Sequence, residues 1–175
     1  SILKILIEWL KKETPITEDN LTIMIGCGIH RDMTHKEFSK KVGERIANNI
    51  QCINHDPNAE REYLGTSSYG TPIEINKKVI EADFRIAIGT IEPHPFAGFS
   101  GGSKMIMPGF ASISSIIANH EKVIEGNSIV GEVEHNIVRK DIDEIGQIAG
   151  LNFIINVISN SNQEPLDIVV GHPYK

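Results

Sequence analysis

The chain has 175 residues and a formal net charge of −6 at pH 7, with 40% hydrophobic and 23% charged residues. That length suits one globular domain, and the negative charge argues against a nucleic-acid binder, because such a protein needs a basic surface that displaces counterions from phosphates. The sequence shows no apolar run near the ~20 residues that span a bilayer, no signal peptide and only two cysteines, so we expect a cytoplasmic protein without membrane or nucleic-acid partners.

Hydrophobic periodicity in the first half of the chain predicts helices that alternate with strands. Helical patterns cover residues 2–12 and 33–49, and apolar strand-like runs cover residues 21–26 and 50–55. Thr34 and Glu37 have the spacing of a capping box at the start of the second helix. Residues 55–71 are polar and contain glycines, which predicts a long loop or a short hairpin.

The second half of the chain continues the alternation. Helices are predicted over residues 72–82, 112–126 and 135–150, and strands over residues 83–91, 152–158 and 166–170. This order predicts an α/β fold: a mostly parallel sheet with helices on both faces, in a Rossmann-like three-layer domain. Ligands of such sheets bind beyond the carboxyl ends of the strands. The loops at residues 26–35 and 89–104 leave strands at that edge and carry polar side chains, so we expect the functional site there.

The stretch HPFAGFSGGSKMIMPG follows the predicted strand at 83–91 and allows two interpretations from its residues alone. In the first, Gly98, Ser100 and Gly102 match the G-x-S-x-G pattern of serine hydrolases, with the serine as nucleophile. That arrangement needs a strand that runs directly into the turn and a helix that starts at once after the serine. Two prolines between the strand and the serine count against it.

The second interpretation is an anion-binding loop. Gly101, Gly102 and Ser103 have little bulk, so their backbone N–H groups could line a phosphate, with Lys104 as the point charge. The spacings of the P-loop and of the G-x-G-x-x-G dinucleotide fingerprint are both absent. The glycines by themselves therefore leave the ligand undefined.

Three of the seven histidines are candidates for catalysis or metal binding. His30 and His94 each follow an apolar strand at the predicted functional edge, where an imidazole can remove and return a proton near neutral pH. Two such groups on opposite sides of a substrate could work on both faces of one carbon. His120 ends a predicted helix and could bind a borderline metal such as nickel or zinc, or interact with the helix dipole instead. Structural or solvated imidazoles are expected at His55, His135 and His172.

Three segments together resemble the N-terminal domain of the lactate racemase family, the nickel-pincer-nucleotide enzymes: GIHRDMTHKE, EADFRIAIGTIEPHPFAGFSGGSKMIMPGFAS and IIANH. The resemblance runs in order from about residue 20 to 160, and the block HPFAGFSGG-x-K is specific. It implies a racemase or epimerase of a 2-hydroxy acid, lactate or a relative. In that family a hydride leaves carbon 2 while a histidine takes the hydroxyl proton, and the hydride returns to either face of the transient 2-keto acid.

The resemblance also implies a role for each candidate residue. Lys104 would anchor the cofactor, pyridinium-3-thioamide-5-thiocarboxylate mononucleotide with nickel, through a thioamide. His120 would ligate the nickel held in the sulfur–carbon–sulfur pincer, and His30 and His94 would be the paired acid–base groups. The cofactor would also be contacted by Gly101, Gly102 and Ser100, the last of which could equally be a turn residue.

The resemblance has one departure and leaves two alternatives open. Ser103 stands where many family members carry a basic residue, which leaves the cofactor phosphate contacts and the hydroxy acid undefined.

Residues 1–175 are expected to form a single α/β domain, a fragment of the cofactor-binding N-terminal domain of a longer two-domain protein, and to be inactive alone. Expected partners are the 2-hydroxy acid, the cofactor-biosynthesis enzymes and the missing C-terminal domain. The alternatives are a serine hydrolase using Ser100 with His94 or His120, and a non-catalytic nucleotide- or metal-binding module.

Overall fold

Helices and strands alternate along the chain in a computed structural model that describes residues 2–174. The helices are α1 (Ile2–Glu13), α2 (His35–Val42), α3 (Glu44–Asn49), α4 (Lys77–Ile80), α5 (Ile113–His120) and α6 (Ile137–Ile148). The strands are β1 (Thr22–Ile25), β2 (Gln51–Asn54), β3 (Arg61–Thr66), β4 (Pro72–Asn76), β5 (Ile86–Ile91), β6 (Pro93–His94), β7 (Gly98–Phe99), β8 (Phe153–Ser159) and β9 (Pro165–Gly171). Three 3-10 turns cover Glu18–Asn20, Gly102–Met105 and Glu121–Glu125. None of the helices in residues 2–174 has both the length and the apolar composition that a bilayer crossing requires.

The strands form small sheets of both parallel and antiparallel type. β1 pairs with β2 and β5 pairs with β8 in parallel, whereas β3–β4, β6–β7 and β8–β9 are antiparallel pairs. The α/β class is confirmed, but parallel pairing is limited to two strand pairs. The reason is the length of the connections: β8 and β9 are joined by residues 160–164, and a connection this short makes neighbouring strands run antiparallel.

The prediction of one helix over residues 72–82 is wrong for its first half. Residues Pro72–Asn76 form β4, because Ile73 and Ile75 alternate with polar side chains and are both fully buried. Asn76 then caps α4, and its side chain accepts a hydrogen bond from the backbone N–H of Lys78 (3.1 Å). β4 pairs with β3, so residues 55–71 contain part of a hairpin, as one of the two predictions had it.

The predicted helix over residues 33–49 is divided at Gly43. Its start is as expected: Thr34 accepts a hydrogen bond from the N–H of Glu37 (3.3 Å), and the Glu37 carboxylate accepts one from the N–H of Thr34 (2.9 Å). Gly43 adopts φ 102°, a value that helical residues do not have. The chain therefore ends α2 there and begins α3 in a new direction.

Buried apolar side chains form two clusters. One lies between α5, α6 and the strands β4 and β5, and it includes Ile73, Ile75, Met107, Ile116, Val138, Ile142 and Ile145. The other lies among α1, α2, α3 and the β1–β2 pair, and it includes Ile7, Phe38, Val42, Ile46 and Ile50. Apolar burial of this kind is the main stabilising term of a fold.

His55 connects these two parts of the molecule. It is 2% exposed, follows β2 and places Nε2 3.0 Å from the carbonyl oxygen of Ala111, while Nδ1 lies 3.3 Å from the Asn76 amide. Burial is the main cause that lowers the pKa of His55. The prediction of a structural imidazole at this position is confirmed.

Candidate functional site

The glycine-rich stretch forms a hairpin and a tight turn at the carboxyl end of β5. After Ile91 the chain folds back as β6 and β7, in which His94 lies opposite Gly98. A 3-10 turn follows and carries Lys104. The stretch therefore lies where the sequence predicts it, at the carboxyl end of a strand with parallel pairing.

A second loop, in front of α6, fixes this hairpin. Gly98 has a φ of 72°, and a Cβ atom at this position would overlap the carbonyl oxygen of Glu132, so glycine is required. The side-chain amide of Asn136 donates a hydrogen bond to the carbonyl of Phe96 (2.9 Å). The position of His94 is thus set by contacts with residues that lie some forty positions further along the chain.

Gly101 and Gly102 bring the backbone against a buried amide. Their φ values are 82° and 58°, and a Cβ atom on Gly101 would lie 3.1 Å from Oδ1 of Asn156. The N–H of Gly102 donates to the same oxygen (3.4 Å). Asn156 belongs to β8 and is 2% exposed, and no sequence motif singles it out. Contact of the two glycines with a cofactor stays a prediction.

Lys104 presents an amine without a protein partner. Within residues 2–174 its Nζ has no hydrogen bond or ion pair. Burial, and after it the positive charge of Arg139, lowers the pKa of Lys104 to about 8. Arg139 itself is held by Asp143 (Nε to Oδ2, 2.8 Å) and by the carbonyl of Phe99 (3.2 Å). Near pH 8 about half of the Lys104 population is therefore the free amine, which is the nucleophilic form.

The imidazole of His94 is held in one orientation. Its Nδ1 accepts hydrogen bonds from the backbone N–H groups of Phe96 and Ala97, both at 3.2 Å. A ring nitrogen that accepts carries no proton, so the neutral ring holds its proton on Nε2. Burial lowers the pKa of His94, and the positive charges of Lys104 and His120 lower it further. His94 therefore offers an N–H donor to a ligand near neutral pH.

His120 is the last residue of α5 and lies in the same cluster. Burial and then the charge of Lys104 lower the pKa of His120. Its ring makes an edge contact with Phe96 at 5.9 Å between centroids, and Phe96 makes a second one with His94 at 6.0 Å. The structure thus brings His94, Lys104 and His120 together. A neutral imidazole keeps the lone pair that a borderline metal needs.

His30 lies in the turn after β1 and is exposed. This turn packs on the segment that follows Lys104, because the N–H of Gly28 donates to the carbonyl of Gly109 (3.1 Å). Among residues 2–174, however, no hydrogen bond or ring contact joins His30 to the cluster around Phe96. Its role as an acid–base group stays a prediction.

Ser100 is a turn residue in this structure. Its hydroxyl donates to the carbonyl of Thr90 (2.8 Å) and accepts from the N–H of Glu92 (2.9 Å), which ties the hairpin to the end of β5. Its proton therefore points at a backbone carbonyl, and no imidazole of the described residues is hydrogen-bonded to it. The arrangement of a serine nucleophile with a histidine base, which the hydrolase alternative needs, is not formed.

The side chain of Ser103 faces α6. It is 1% exposed, its Oγ lies 3.1 Å from the hydroxyl oxygen of Tyr174, and a Cβ atom on Gly146 would lie 2.6 Å from it. A basic side chain at position 103 would not fit in this orientation. The close packing of the Lys104 turn on α6 therefore explains why Ser103 departs from the family pattern.

One cleft of the molecule lies away from the candidate residues. A cleft of about 450 Å³ between α1 and α3 contains none of the candidate residues. Throughout the described part of the chain, no three His, Cys, Asp or Glu side chains converge to hold a metal ion.

Comparison with known proteins gives the relationships of this chain. The sequence profile of the lactate racemase N-terminal domain matches residues 1–131. A lactate racemase from Thermoanaerobacterium thermosaccharolyticum is 41% identical over 160 residues, which cover 89% of this chain and 38% of the relative. A lactate racemase from Lactiplantibacillus plantarum is 36% identical over 174 residues, which cover 97% of this chain and 41% of the relative.

Solved structures agree with the sequence comparison. The lactate racemase apoprotein from T. thermosaccharolyticum superimposes with a TM-score of 0.93 at 38% identity, over 99% of this chain and 42% of that one. A protein from Thermotoga maritima superimposes with a TM-score of 0.80 at 24% identity, which shows a shared fold. The chain spans about two fifths of the length of the curated relatives. By the match over three quarters of its length and by both relatives, the chain belongs to the lactate racemase N-terminal domain family.

Proposed function

We propose that this chain is the cofactor-anchoring part of a racemase or epimerase of a 2-hydroxy acid, lactate or a relative. Membership of the family supports the reaction class, since both curated relatives are named lactate racemase. The observation that carries the proposal is the cluster of His94, Lys104 and His120, in which an unpartnered amine lies among two imidazoles and all three pKa values are lowered. Groups in this state are suited to covalent attachment, metal ligation and proton transfer near neutral pH.

The residues present fit a nickel-pincer nucleotide. The amine of Lys104 has no competing protein partner and can form the covalent link, and the neutral ring of His120 can ligate nickel. Gly101 and Gly102 allow the turn that carries Lys104 to pack closely on Asn156. With one imidazole from the protein, the other nickel donors would be the soft sulfur and carbon atoms of the pincer. When bound, the cofactor supplies a hydride acceptor and donor for carbon 2 of the substrate.

The two candidate acid–base histidines have different roles in this proposal: one donates a hydrogen bond to the substrate and the other takes a proton from it. His94 presents Nε2–H and would donate a hydrogen bond to a substrate oxygen. The ring of His30 has no hydrogen bond within the described residues and would take the hydroxyl proton. The reverse direction needs Nε2 of His94 without its proton. The two N–H groups that face Nδ1 disfavour that tautomer, so we expect the exchange of roles to require a shift of the hairpin.

The length of the relatives supports a division of labour. Because the chain spans about two fifths of them, we propose that residues 1–175 hold the cofactor end of the site, and that the remaining part of such a protein binds the substrate and closes over it. The single-domain organisation and the lack of activity of the chain alone belong to this proposal. Lactate racemisation by the purified 175-residue chain, loaded with cofactor, would contradict it.

Intact-mass spectrometry with peptide mapping tests the cofactor assignment. The chain is co-expressed with enzymes that make the nickel-pincer nucleotide, and we expect a nucleotide adduct on the peptide that contains Lys104. Lys104→Met should abolish the adduct. Lys77→Met, a change at a surface lysine paired with Glu60, is the matched control and should keep it.

The metal assignment has its own variant. His120→Gln should retain the adduct on Lys104 and lose nickel, measured as metal per protein after desalting. An unmodified Lys104 in co-expressed protein would contradict covalent anchoring. An adduct with nickel but no racemisation, even in a longer protein that includes this chain, would favour the non-catalytic binding module.

A further inference from the structure

A buried carboxylate outside the candidate site holds the end of α5. Asp141 lies in α6, is fully buried and accepts three hydrogen bonds from side chains: Ser67 (2.6 Å), Thr71 (2.6 Å) and Asn119 (2.7 Å). The amine of Lys122 completes the group at 3.6 Å. A buried charge needs such a set of partners, because desolvation penalises it strongly.

Two of these partners flank the candidate nickel ligand. Asn119 directly precedes His120, and Lys122 follows it by two positions. Asn119 also donates to the carbonyl of Val138 (3.3 Å), and Lys122 also donates to the carbonyl of Ala118 (2.8 Å). The carboxylate of Asp141 therefore contacts side chains on both sides of His120: it accepts a hydrogen bond from Asn119 and forms an ion pair with Lys122, whose amine also donates to Thr71 (2.7 Å).

This arrangement matters because His120 lies at a helix end. The last carbonyl groups of a helix lack intrahelical partners, and such ends usually fray. Here α5 ends at His120 and continues into the 3-10 turn Glu121–Glu125, so the backbone hydrogen-bond pattern changes at the residue whose ring must be aimed. A link to the core on each side of His120 restricts this fraying.

The hydrogen-bonding state of Asn119 supports a directional role. Its amide nitrogen makes both of the bonds described above, while its Oδ1 is the buried side-chain oxygen without a donor in the described residues. A buried acceptor without a partner is unfavourable. The side chain of Asn119 is thus held in place by the hydrogen bonds that its amide nitrogen donates to α6, chiefly the short one to Asp141.

We propose that Asp141 is a positioning residue, which holds the ring of His120 against Phe96 through Asn119 and Lys122. Its importance for catalysis rests on the proposed function, but the positional effect does not, since it concerns the protein without cofactor. Asp141 acts at a distance and touches neither substrate nor metal. The contacts of Asp141 thus link the β3–β4 hairpin, α5 and α6 to the imidazole of His120.

Histidine ring signals in NMR spectra of the cofactor-free chain test this. The edge contact with Phe96 gives the ring protons of His120 a ring-current shift, and Phe96→Leu measures its size. In Asp141→Asn we expect His120 to lose at least half of that shift, because Asn119 no longer has a charged acceptor and Lys122 loses its counter-charge. A purely structural role would lower the unfolding midpoint and leave the shift unchanged.

A matched control uses the other end of α5. The carboxylate of Glu74 accepts hydrogen bonds from Ser112 (2.6 Å) and Ser114, so Glu74→Gln also weakens the helix but is remote from its last turn. We expect this variant to keep the His120 shift. Equal loss of the shift in both variants would overturn the proposal, because it would mean that any weakening of α5 frees the ring.

A second variant applies if Asp141→Asn does not fold. Asn119→Ala removes one of the two links and leaves the contact between Lys122 and Asp141, so we expect a smaller but measurable loss of the His120 shift. An unchanged shift in that variant would overturn the proposal. A missing adduct on Lys104 in co-expressed protein, together with the expected NMR changes, would contradict the proposed function and leave this inference standing.

Discussion

The amine of Lys104 and the imidazole of His94 lie close enough for the charge of the lysine to lower the pKa of the histidine. Both groups are also partly buried, and burial disfavours the charged form of each. The same lysine lowers the pKa of His120. The charge of Lys104 thus adds to burial in favouring the neutral form of both imidazoles.

Acylation of Lys104 should follow this lowered pKa. Because the pKa is about 8, we expect the pH profile of labelling by a small acylating reagent to have its midpoint near pH 8. The extent of labelling of the Lys104 peptide is measured by mass spectrometry between pH 6 and 11. Lys77 serves as the internal control, since the hydrogen bond that its amine donates to Glu60 raises the pKa of Lys77 above its ordinary value of 10.5. Coincident profiles of the two lysines would contradict the assigned environment.

Removal of the lysine charge should shift both histidines. In Lys104→Met we expect the pKa values of His94 and His120 to rise, because the repulsion ends while part of the desolvation remains. NMR titration of the ring signals measures this. His55 is the control, since the pKa of His55 is governed by burial, by Ala111 and by Asp56. A rise at all three histidines would indicate a general loosening instead.

The order of the elements was largely predictable from hydrophobic periodicity. Strands such as β5 and β8 are apolar runs, and α6 places its buried residues with the period of a helix. The error over residues 72–76 has a physical cause. PIEIN reads as either period, and burial of Ile73 and Ile75 on one face of a hairpin decides it, which only the tertiary structure shows.

The site was predictable as a set of residues but not as an arrangement. The resemblance names Lys104 and His120 from local motifs, whereas the tautomer of His94 depends on two backbone N–H groups of the folded hairpin. Asp141 gave no signal in the sequence, because its partner Ser67 is 74 positions away and a lone aspartate in an amphipathic helix is ordinarily solvated.

Ser100 should be chemically inert. A fluorophosphonate probe is expected not to label it, because its hydroxyl proton is bonded to the carbonyl of Thr90 and no base is hydrogen-bonded to the oxygen. Ser100→Ala should cost about 1 kcal/mol of unfolding free energy, the contribution of a typical hydrogen bond, measured by urea denaturation. Labelling of the wild-type chain that disappears in Ser100→Ala would revive the hydrolase alternative.

Stability should fall on mild acidification. The folded pKa of His55 lies below its ordinary value of 6.5, so the unfolded chain binds the proton first and the folded state loses free energy as the pH falls below about 6.5. The slope is at most about 1.4 kcal/mol per pH unit for each such histidine. Urea denaturation between pH 7.5 and 5 measures it.

The variant His55→Gln measures how much of this dependence of the unfolding free energy on pH comes from His55. We expect His55→Gln to be less stable than the wild type at pH 7.5, because two buried hydrogen bonds change, but to show a shallower dependence on pH between 6.5 and 5. His94 and His120 also have lowered pKa values and account for the rest. If the dependence on pH is unchanged in His55→Gln, the loss of stability on acidification comes entirely from the histidines of the candidate site.

Gly98→Ala should disrupt the hairpin that carries His94. The new Cβ atom would overlap the carbonyl oxygen of Glu132 at a φ of 72°, and we expect a loss of about 2–4 kcal/mol in unfolding free energy. Gly70→Ala is the matched control, since Gly70 has a φ of 83° and open space around its Cα, so only the backbone cost of about 1 kcal/mol applies. The difference between the two variants measures the contact with the loop before α6. Equal losses would mean that this loop does not press on the hairpin, and the ring of His94 would then owe its orientation to β6 and β7 alone.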